Sequence, residues 1–403
     1  MRVILFSTLF PNAEHPQHGI FVWERLRHLI ARHGIDAVVV APVPYFPKLG
    51  GFGRWSSLGR VPRREVRDGV PVYHPRYLVT PKLGMSLYPV TLALGAARVV
   101  SRLVREGYEL VDAHYLYPDG VAAALLAGWL RVPLVVTGRG SDVMVLPCLR
   151  IVRRWIAWSL RRAHGRAAVC TALAEAMREM AGGTLDTVTL RNGVDTDVFV
   201  HTDRDSARRR LGIPPHGRII ASVGLLIERK GHHLAIDALA RLRQEGFPDV
   251  TLLIVGNGPW EAKLRKQARQ RQVADAVIVY GGLPPADMPG VFAAADVLLL
   301  ASRSEGWANV ILESLACGTP VVASAVPGTV EAIRSPDVGI VFAPRSAAGV
   351  ASALRAALER VWDPMTIRDY ARGFSWDETS DGQLALFGTA IRRFRCEPHG
   401  VDE

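Results

Sequence analysis

Along the chain, short runs of consecutive apolar residues alternate with longer stretches in which apolar positions recur every three or four residues. In the first half the short runs are Val3–Phe6, Ala37–Val40, Leu110–Asp112, Leu134–Thr137 and Ala167–Val169, separated by helical stretches such as Ile20–Arg32, Val90–Arg105 and Leu149–His164. In the second half they are Ile219–Val223, Thr251–Val255, Val277–Tyr280, Val297–Leu300, Val321–Ala323 and Gly339–Phe342, with helical patterns at Gly231–Arg243 and Trp260–Arg271. Continuous Val/Ile/Leu runs between helices predict parallel strands covered on both faces. The pattern implies an α/β protein of two doubly wound domains facing one another across a cleft, with ligands at the carboxyl ends of the strands.

The alternation lapses twice. Tyr45–Tyr77, rich in Pro, Gly and Arg, reads as a long ordered loop or hairpin excursion. Asn192–His216 carries the turn signals Asn192-Gly193 and Pro214-Pro215 among many charges. We therefore place an N-terminal domain at 1–195, a connection at 196–217 and a C-terminal domain at 218–372. A last helix in 373–403 is expected to return to the N-terminal domain. There is no internal repeat and no low-complexity segment.

Composition narrows the class. The 403 residues, 49% hydrophobic and 22% charged, suit a globular protein of about two domains. No apolar run reaches the roughly 18–20 residues of a membrane helix, and the start MRVILFSTLFPNAE, without a small-residue cleavage site, reads as a buried first strand. The cysteines Cys148, Cys170, Cys317 and Cys396 are far apart, which argues against a zinc site or disulfide framework and suits a reducing cytoplasm. The net charge is +11, and the excess is one-sided: residues 1–195 hold 25 basic and 14 acidic side chains, residues 196–403 hold 24 of each. One domain, not the whole protein, is suited to something anionic.

The strongest chemical signal is SRSEGWANVILESLACGTPVVAS, Ser302–Ser324. Glu305 follows a strand at the expected start of a helix, and Glu313 lies eight residues on, within it. The N–H groups of Gly306–Asn309, Gly306 and Asn309 included, make an anion site at that helix start. The two carboxylates suit sugar and ribose hydroxyls on either side of a diphosphate. In SVGLLIERKGHH, Ser222–His233, the cations Arg229 and Lys230 stand at a strand end where they can neutralise a diphosphate. Weaker signals are Gly19 in HPQHGIFVWERLRHL, His114 after Val111-Asp112-Ala113, and the turn VGNGP, Val255–Pro259. A lone histidine or glycine of this kind is more often structural.

Together these residues, with FPNAEHPQHGIFV, DAHYLYPDGVAAALLA, TGRGSD and LRNGVD, resemble the retaining family 4 glycosyltransferases of GT-B fold, in particular bacterial teichuronic-acid and exopolysaccharide enzymes. The resemblance runs through essentially the whole chain. It implies transfer of a sugar from a UDP- or GDP-sugar to a lipid-linked or polysaccharide acceptor, without a cofactor or metal. Glu305 would sit near the reacting carbon, Glu313 on the ribose, and Lys230 with Gly19 on the diphosphate. His114 would face the transferred sugar, and the Gly281–Leu283 turn, with Gly282 and Leu283, would hold the base. Many members have Arg directly after the strand-end glycine where this chain has Leu225; Arg229 is the candidate replacement.

No Asp-x-Asp stands at the strand-end loops, so chelator-resistant activity is expected. On a helical wheel of Leu149–Arg166, Ile151, Val152, Trp155, Ile156, Trp158 and Leu160 take one side, and Arg150, Arg153, Arg154 and Arg161 the other, Arg162 departing from the pattern. Two readings stay open for that arginine face: a solvated surface, or contact with anionic lipid at the inner face of the plasma membrane. Arg54, Arg60, Arg63, Arg64 and Arg67 add charge to the same half. An epimerase or hydrolase on the same fold is the alternative. A basic nucleic-acid-binding protein would leave the donor motifs unexplained, and no G-x-G-x-x-G follows the first strand as a dinucleotide oxidoreductase requires.

Overall fold

The computed structural model describes residues 1–45, 57–79 and 86–397. The chain forms two units, residues 1–192 with the segment from Trp376 onward, and Gly193–Ser375.

In the first unit the strands are β1 (Arg2–Phe6), β2 (Asp36–Val40), β3 (Val43–Tyr45), β4 (Arg64–Arg67), β5 (Val70–Tyr73), β6 (Arg76–Leu78), β7 (Leu110–His114), β8 (Leu134–Gly138), β9 (Gly165–Ala168) and β10 (Val188–Thr189). The main sheet runs β10-β9-β8-β7-β1-β2-β5-β4, parallel but for the β4–β5 hairpin; β3 and β6 pair separately. Val3, Ile4, Leu5 and Phe6 are at most 1% exposed, as a central strand with helices on both faces requires. Within the described part of the Tyr45–Tyr77 stretch, residues 64–73 form this hairpin, turned at Asp68 and Gly69, both at positive φ (46° and 85°) as a two-residue hairpin turn demands. Its arginines are engaged: Arg60 pairs with Glu14 at 2.6 Å, and Arg64 and Arg67 lie over the rings of Tyr73 and Trp23. Arg54 lies outside the described residues.

The helix Trp376–Cys396 belongs to the first unit. Leu386, Phe387 and Ala390 join the core formed by Val3, Leu5, Leu26 and Leu29 from the other end of the chain. The ring of His28 stacks on Trp376, centroids 5.2 Å apart. On the helix Arg150–Arg162, Val152, Ile156, Ala157, Ser159 and Leu160 are buried, while Trp155 and Trp158 are half-buried. Ile151, expected on the inner side, is 49% exposed, because at about 100° per residue it lies off the buried stripe of Val152, Ile156 and Leu160.

The second unit has one parallel sheet, β11 (Arg218–Val223), β12 (Val250–Val255), β13 (Val277–Gly281), β14 (Val297–Leu300), β15 (Val321–Ser324) and β16 (Gly339–Phe342), in the order β13-β12-β11-β14-β15-β16. The expected connection 196–217 is part of this unit rather than a linker. Arg204–Leu211 is a helix, its N-terminus capped by the Asp203 carboxylate accepting the Ser206 N–H at 2.8 Å. Arg208, 4% exposed, donates to the carbonyls of Ala294, Pro215 and Gly217 and to Asp296. A buried arginine, not an apolar stripe, docks this helix, so hydrophobic periodicity misses it.

Truncating Phe387, fully buried in the returning helix, should remove a filled volume from the first unit. Phe387→Ala is expected to cost about 3–5 kcal/mol of stability by urea unfolding.

Candidate functional site

Each sheet has one point where the chain leaves neighbouring strands toward opposite faces, and there the strand ends open a crevice. In the second unit it lies between β11 and β14, and in the first between β1 and β7. Nearly all the residues singled out above fall at these two places.

In the second unit the loop after β11 meets the loop after β14. Gly231, at φ +78°, lies so close to the second loop that a Cβ there would stand 2.0 Å from the Ala301 carbonyl oxygen. Only glycine allows that approach. The contact brings Lys230 Nζ to 2.6 Å from Glu305 Oε1, with side-chain exposures of 16% and 8%. Arg229 Nη1 donates to the Ser304 carbonyl at 2.8 Å, and its own carbonyl accepts the Arg303 N–H at 2.8 Å. Leu225 is 58% exposed.

The loop bearing Glu305 is tied down carbonyl by carbonyl. Arg345 Nε donates to Ala301 (2.8 Å), Ser324 Oγ to Ser302 (2.5 Å) and the Gly328 N–H to Glu305 (3.3 Å). Trp307 packs on Phe374 at 5.9 Å. The helix starts at Asn309, not at Glu305, and ends at Ala316. Glu305 and Gly306 therefore lie in the preceding loop, and Glu313, half-buried, follows within the helix. The helix start falls late because the loop carbonyls are claimed by donors elsewhere in the unit rather than by an i→i+4 ladder.

His232 fixes the other loop. Its Nε2 donates to the Leu225 carbonyl (3.2 Å), so Nδ1 accepts from Ser222 Oγ (2.8 Å); burial pushes the ring down to about 4, and it is neutral. At the ends of β12 and β13, Asn257 Oδ1 accepts the Gly282 N–H at 2.8 Å, and Gly256 N–H donates to the Gly281 carbonyl. The Gly282 N–H, expected to face a base, is thus bonded within the protein, and Leu283 follows it in the same turn.

In the first unit His114 is the last residue of β7 and 1% exposed. Arg139 donates to its Nδ1, so Nε2 carries the proton and donates to Asp112 Oδ2 at 2.9 Å. Burial pushes this ring also down to about 4. Both ring nitrogens are engaged by protein groups. Behind them, Gln383 of the returning helix donates to Asp112 at 2.7 Å and accepts from Arg25 Nε, while Arg139 Nη1 reaches Asn192 at 3.1 Å. Asp142 gathers the N–H groups of Leu116, Arg139 and Gly140. Asp119 accepts both the N–H and the hydroxyl of Thr8, and burial raises it to about 7.

Gly19, at φ +65°, caps the helix Ile20–His33, and a Cβ there would stand 2.3 Å from the Leu9 carbonyl. The close approach at Gly19 is to the protein's own backbone. Arg139 and Asp142 lie in the TGRGSD segment, where the sequence alone assigns neither a role, and no local pattern marks Arg25 or Gln383. Their partners lie up to 358 residues away.

The sequence profile of the family described as Glycosyl transferases group 1 matches residues 203–374, and that of Glycosyltransferase Family 4 matches residues 55–198. The chain is 30% identical to a D-inositol 3-phosphate glycosyltransferase of Acidothermus cellulolyticus, over 94% of this chain and 86% of that protein. It is 28% identical to the putative teichuronic acid biosynthesis glycosyltransferase TuaC of Bacillus subtilis, over 92% of each. A solved structure of Anabaena Alr3699/HepE in complex with UDP superposes with a TM-score of 0.73 at 21% identity, covering 96% of this chain and 100% of that one.

Two predictions follow from the buried polar groups. Gln383→Leu leaves Asp112 and Arg25 short of a partner in the interior and should cost about 2 kcal/mol or more by urea unfolding. Below pH 6.5 unfolded imidazoles take up protons that His114 and His232 refuse until about pH 4, so their contribution is full above 6.5 and lost on acidification. Asp119 acts oppositely: its contribution is full below the ordinary carboxylate value and lost as pH rises through about 7. Two histidines outweigh one aspartate, so stability should rise from pH 4.5 to 6.5, and more steeply in Asp119→Asn.

Proposed function

Because the chain belongs to the group 1 and family 4 glycosyltransferases, whose GT-B fold it shares, we propose that it transfers a hexose with retention from a UDP- or GDP-sugar to a lipid-linked or polysaccharide acceptor in cell-surface glycan synthesis. The observation that carries this reading is the Lys230–Glu305 pair at the crevice between β11 and β14. Breaking a sugar–diphosphate bond puts negative charge on the departing phosphate and positive charge on the ring. A diphosphate brought to Lys230 competes with the Glu305 carboxylate for the ammonium. Lys230 then stabilises the leaving group, with Arg229 beside it. Glu305, released from the ion pair, accepts a sugar hydroxyl and faces the developing ring charge.

We assign Glu305 an orienting and electrostatic role rather than that of the nucleophile a double displacement would need. In the proposed same-face attack the departing phosphate oxygen takes the acceptor proton as the new glycosidic bond forms. Glu313 is proposed for the ribose hydroxyls, the Gly306–Asn309 amides for the phosphates, and the Gly281–Leu283 turn for the base. Since Asn257 takes the Gly282 N–H, base contact there falls to the remaining backbone groups of the turn. The UDP of the Anabaena protein favours uridine. His114, neutral and held on both sides, is proposed to present a fixed imidazole edge at its strand end. Among the described residues no helix is long and apolar enough to cross a membrane. The arginine face of Arg150–Arg162, with Leu149 42% and Ile151 49% exposed, is proposed to lie on anionic lipid at the cytoplasmic face of the membrane.

The test is transfer from radiolabelled UDP-sugars to a membrane fraction. Lys230→Ala should lose at least about 10²-fold in turnover while keeping its fold. Activity should survive EDTA; abolition restored by manganese would overturn the metal-independent mechanism. Donor hydrolysis at the full rate without acceptor would make the protein a hydrolase.

A further inference from the structure

At the end of the first unit's sheet opposite the strand end that carries His114, where β8 begins, there is a cavity of about 550 Å³. That is within the range of small-ligand sites. Its floor is apolar, formed by Ala124, Ala127, Val132 and Leu134. Its walls carry three guanidinium groups, Arg131, Arg161 and Arg162, against one carboxylate, Glu397, which faces His164 Nε2 at 3.4 Å. Nothing in the proposed transfer uses it.

Three features mark it as built for an anion. Arg161 and Arg162 have no carboxylate within ion-pair distance among the described residues. The Arg162 guanidinium lies over the Trp158 ring, 5.3 Å from its centroid, a cation–π contact that limits where its donors can point. A helix end tolerates basic residues for its dipole alone, but that does not account for the third feature. Gly128, exposed within the helix Val121–Leu130 and not at positive φ, makes that helix less stable than alanine would. It leaves the cavity open: a Cβ there would meet only Arg162 Nη1, at 4.0 Å.

We propose that this cavity binds a phosphate ester, its phosphate among Arg131, Arg161 and Arg162 and its organic part on Trp158, Phe394 and the alanine floor. The proposal is independent of the donor chemistry, which lies in the other unit; it shares Arg161 with the arginine face proposed above to lie on lipid, and the Arg153→Ala/Arg154→Ala variant below separates the two. The ester is either a soluble metabolite or the headgroup of a phospholipid, and both present the same chemistry.

The experiment is calorimetric titration of the full chain with sn-glycerol 3-phosphate, beside flotation on phosphatidylcholine vesicles with and without phosphatidic acid. Arg161→Ala/Arg162→Ala should weaken glycerol phosphate binding at least about tenfold. Gly128→Leu, which fills the cavity while removing no charge and favouring the helix, should do the same. Arg153→Ala/Arg154→Ala loses equal charge from the same helix outside the cavity and should bind like the parent, as should Lys230→Ala. Flotation on phosphatidic acid that Gly128→Leu loses assigns the cavity to a lipid headgroup; flotation that all variants share, with glycerol phosphate binding still confined to the cavity, assigns it to a soluble ester. The proposal is overturned if the parent chain binds no glycerol phosphate, if Gly128→Leu binds normally, if Arg153→Ala/Arg154→Ala weakens binding as much as the cavity variant, or if Lys230→Ala abolishes it.

Discussion

The chemistry of the second unit depends on how closely two loops approach. Without a side chain at Gly231, the segment after β11 can lie against the Ala301 carbonyl, and from that contact everything at the crevice takes its place. Lys230 and Glu305, 75 residues apart in sequence, become an ion pair, and Arg229 closes on Ser304. The carbonyls of Ala301, Ser302, Ser304 and Glu305 are then held by Arg345, Ser324, Arg229 and Gly328. Such a pair contributes little to folding, because removing two charges from water offsets most of their attraction. Its value lies in presenting a cation and an anion at fixed positions.

The first unit reaches order at its strand ends by another route. Arg25, Arg139, Asp112, Asp142 and His114 are all at most 9% exposed, an arrangement that apolar residues of the same volume would replace with no loss of stability. Three of its atoms, Arg25 Nη2, Arg139 Nε and Asp112 Oδ1, have no hydrogen-bond partner among the described residues. Under-satisfied buried charge of this kind is concentrated where a protein holds groups for use rather than for cohesion. The network fixes one tautomer of His114 and keeps it neutral across the physiological range.

Much of this was legible in the chain, and the reasons are local. Strands such as Val297–Leu300 and Gly339–Phe342 are found at the residues expected, because continuous apolar runs between helices have one reading. Lys230 and Glu305 were legible because each lies in the loop between such a run and the next helical pattern. The rest depends on distance in sequence. Hydrophobic periodicity says nothing of a helix docked by Arg208, of the loop that delays the helix start to Asn309, or of Gln383 meeting Asp112 across 271 residues. Gly19 and Gly282 were read as backbone open to a ligand; both are closed by the protein's own atoms, which no single-residue signal reveals.

The returning helix has a consequence for how the chain acquires its structure. The core of the first unit is assembled from Val3, Leu5 and Leu29 at one end and Leu386, Phe387 and Ala390 at the other, with the whole of the second unit encoded between them. During synthesis the second unit is complete, and free to fold, while the first still lacks one wall. Val3, Leu5 and Leu29 are therefore sealed only after the second unit has been made, and until Trp376–Cys396 emerges the apolar face of Ile20–His33 lacks the helix that covers it.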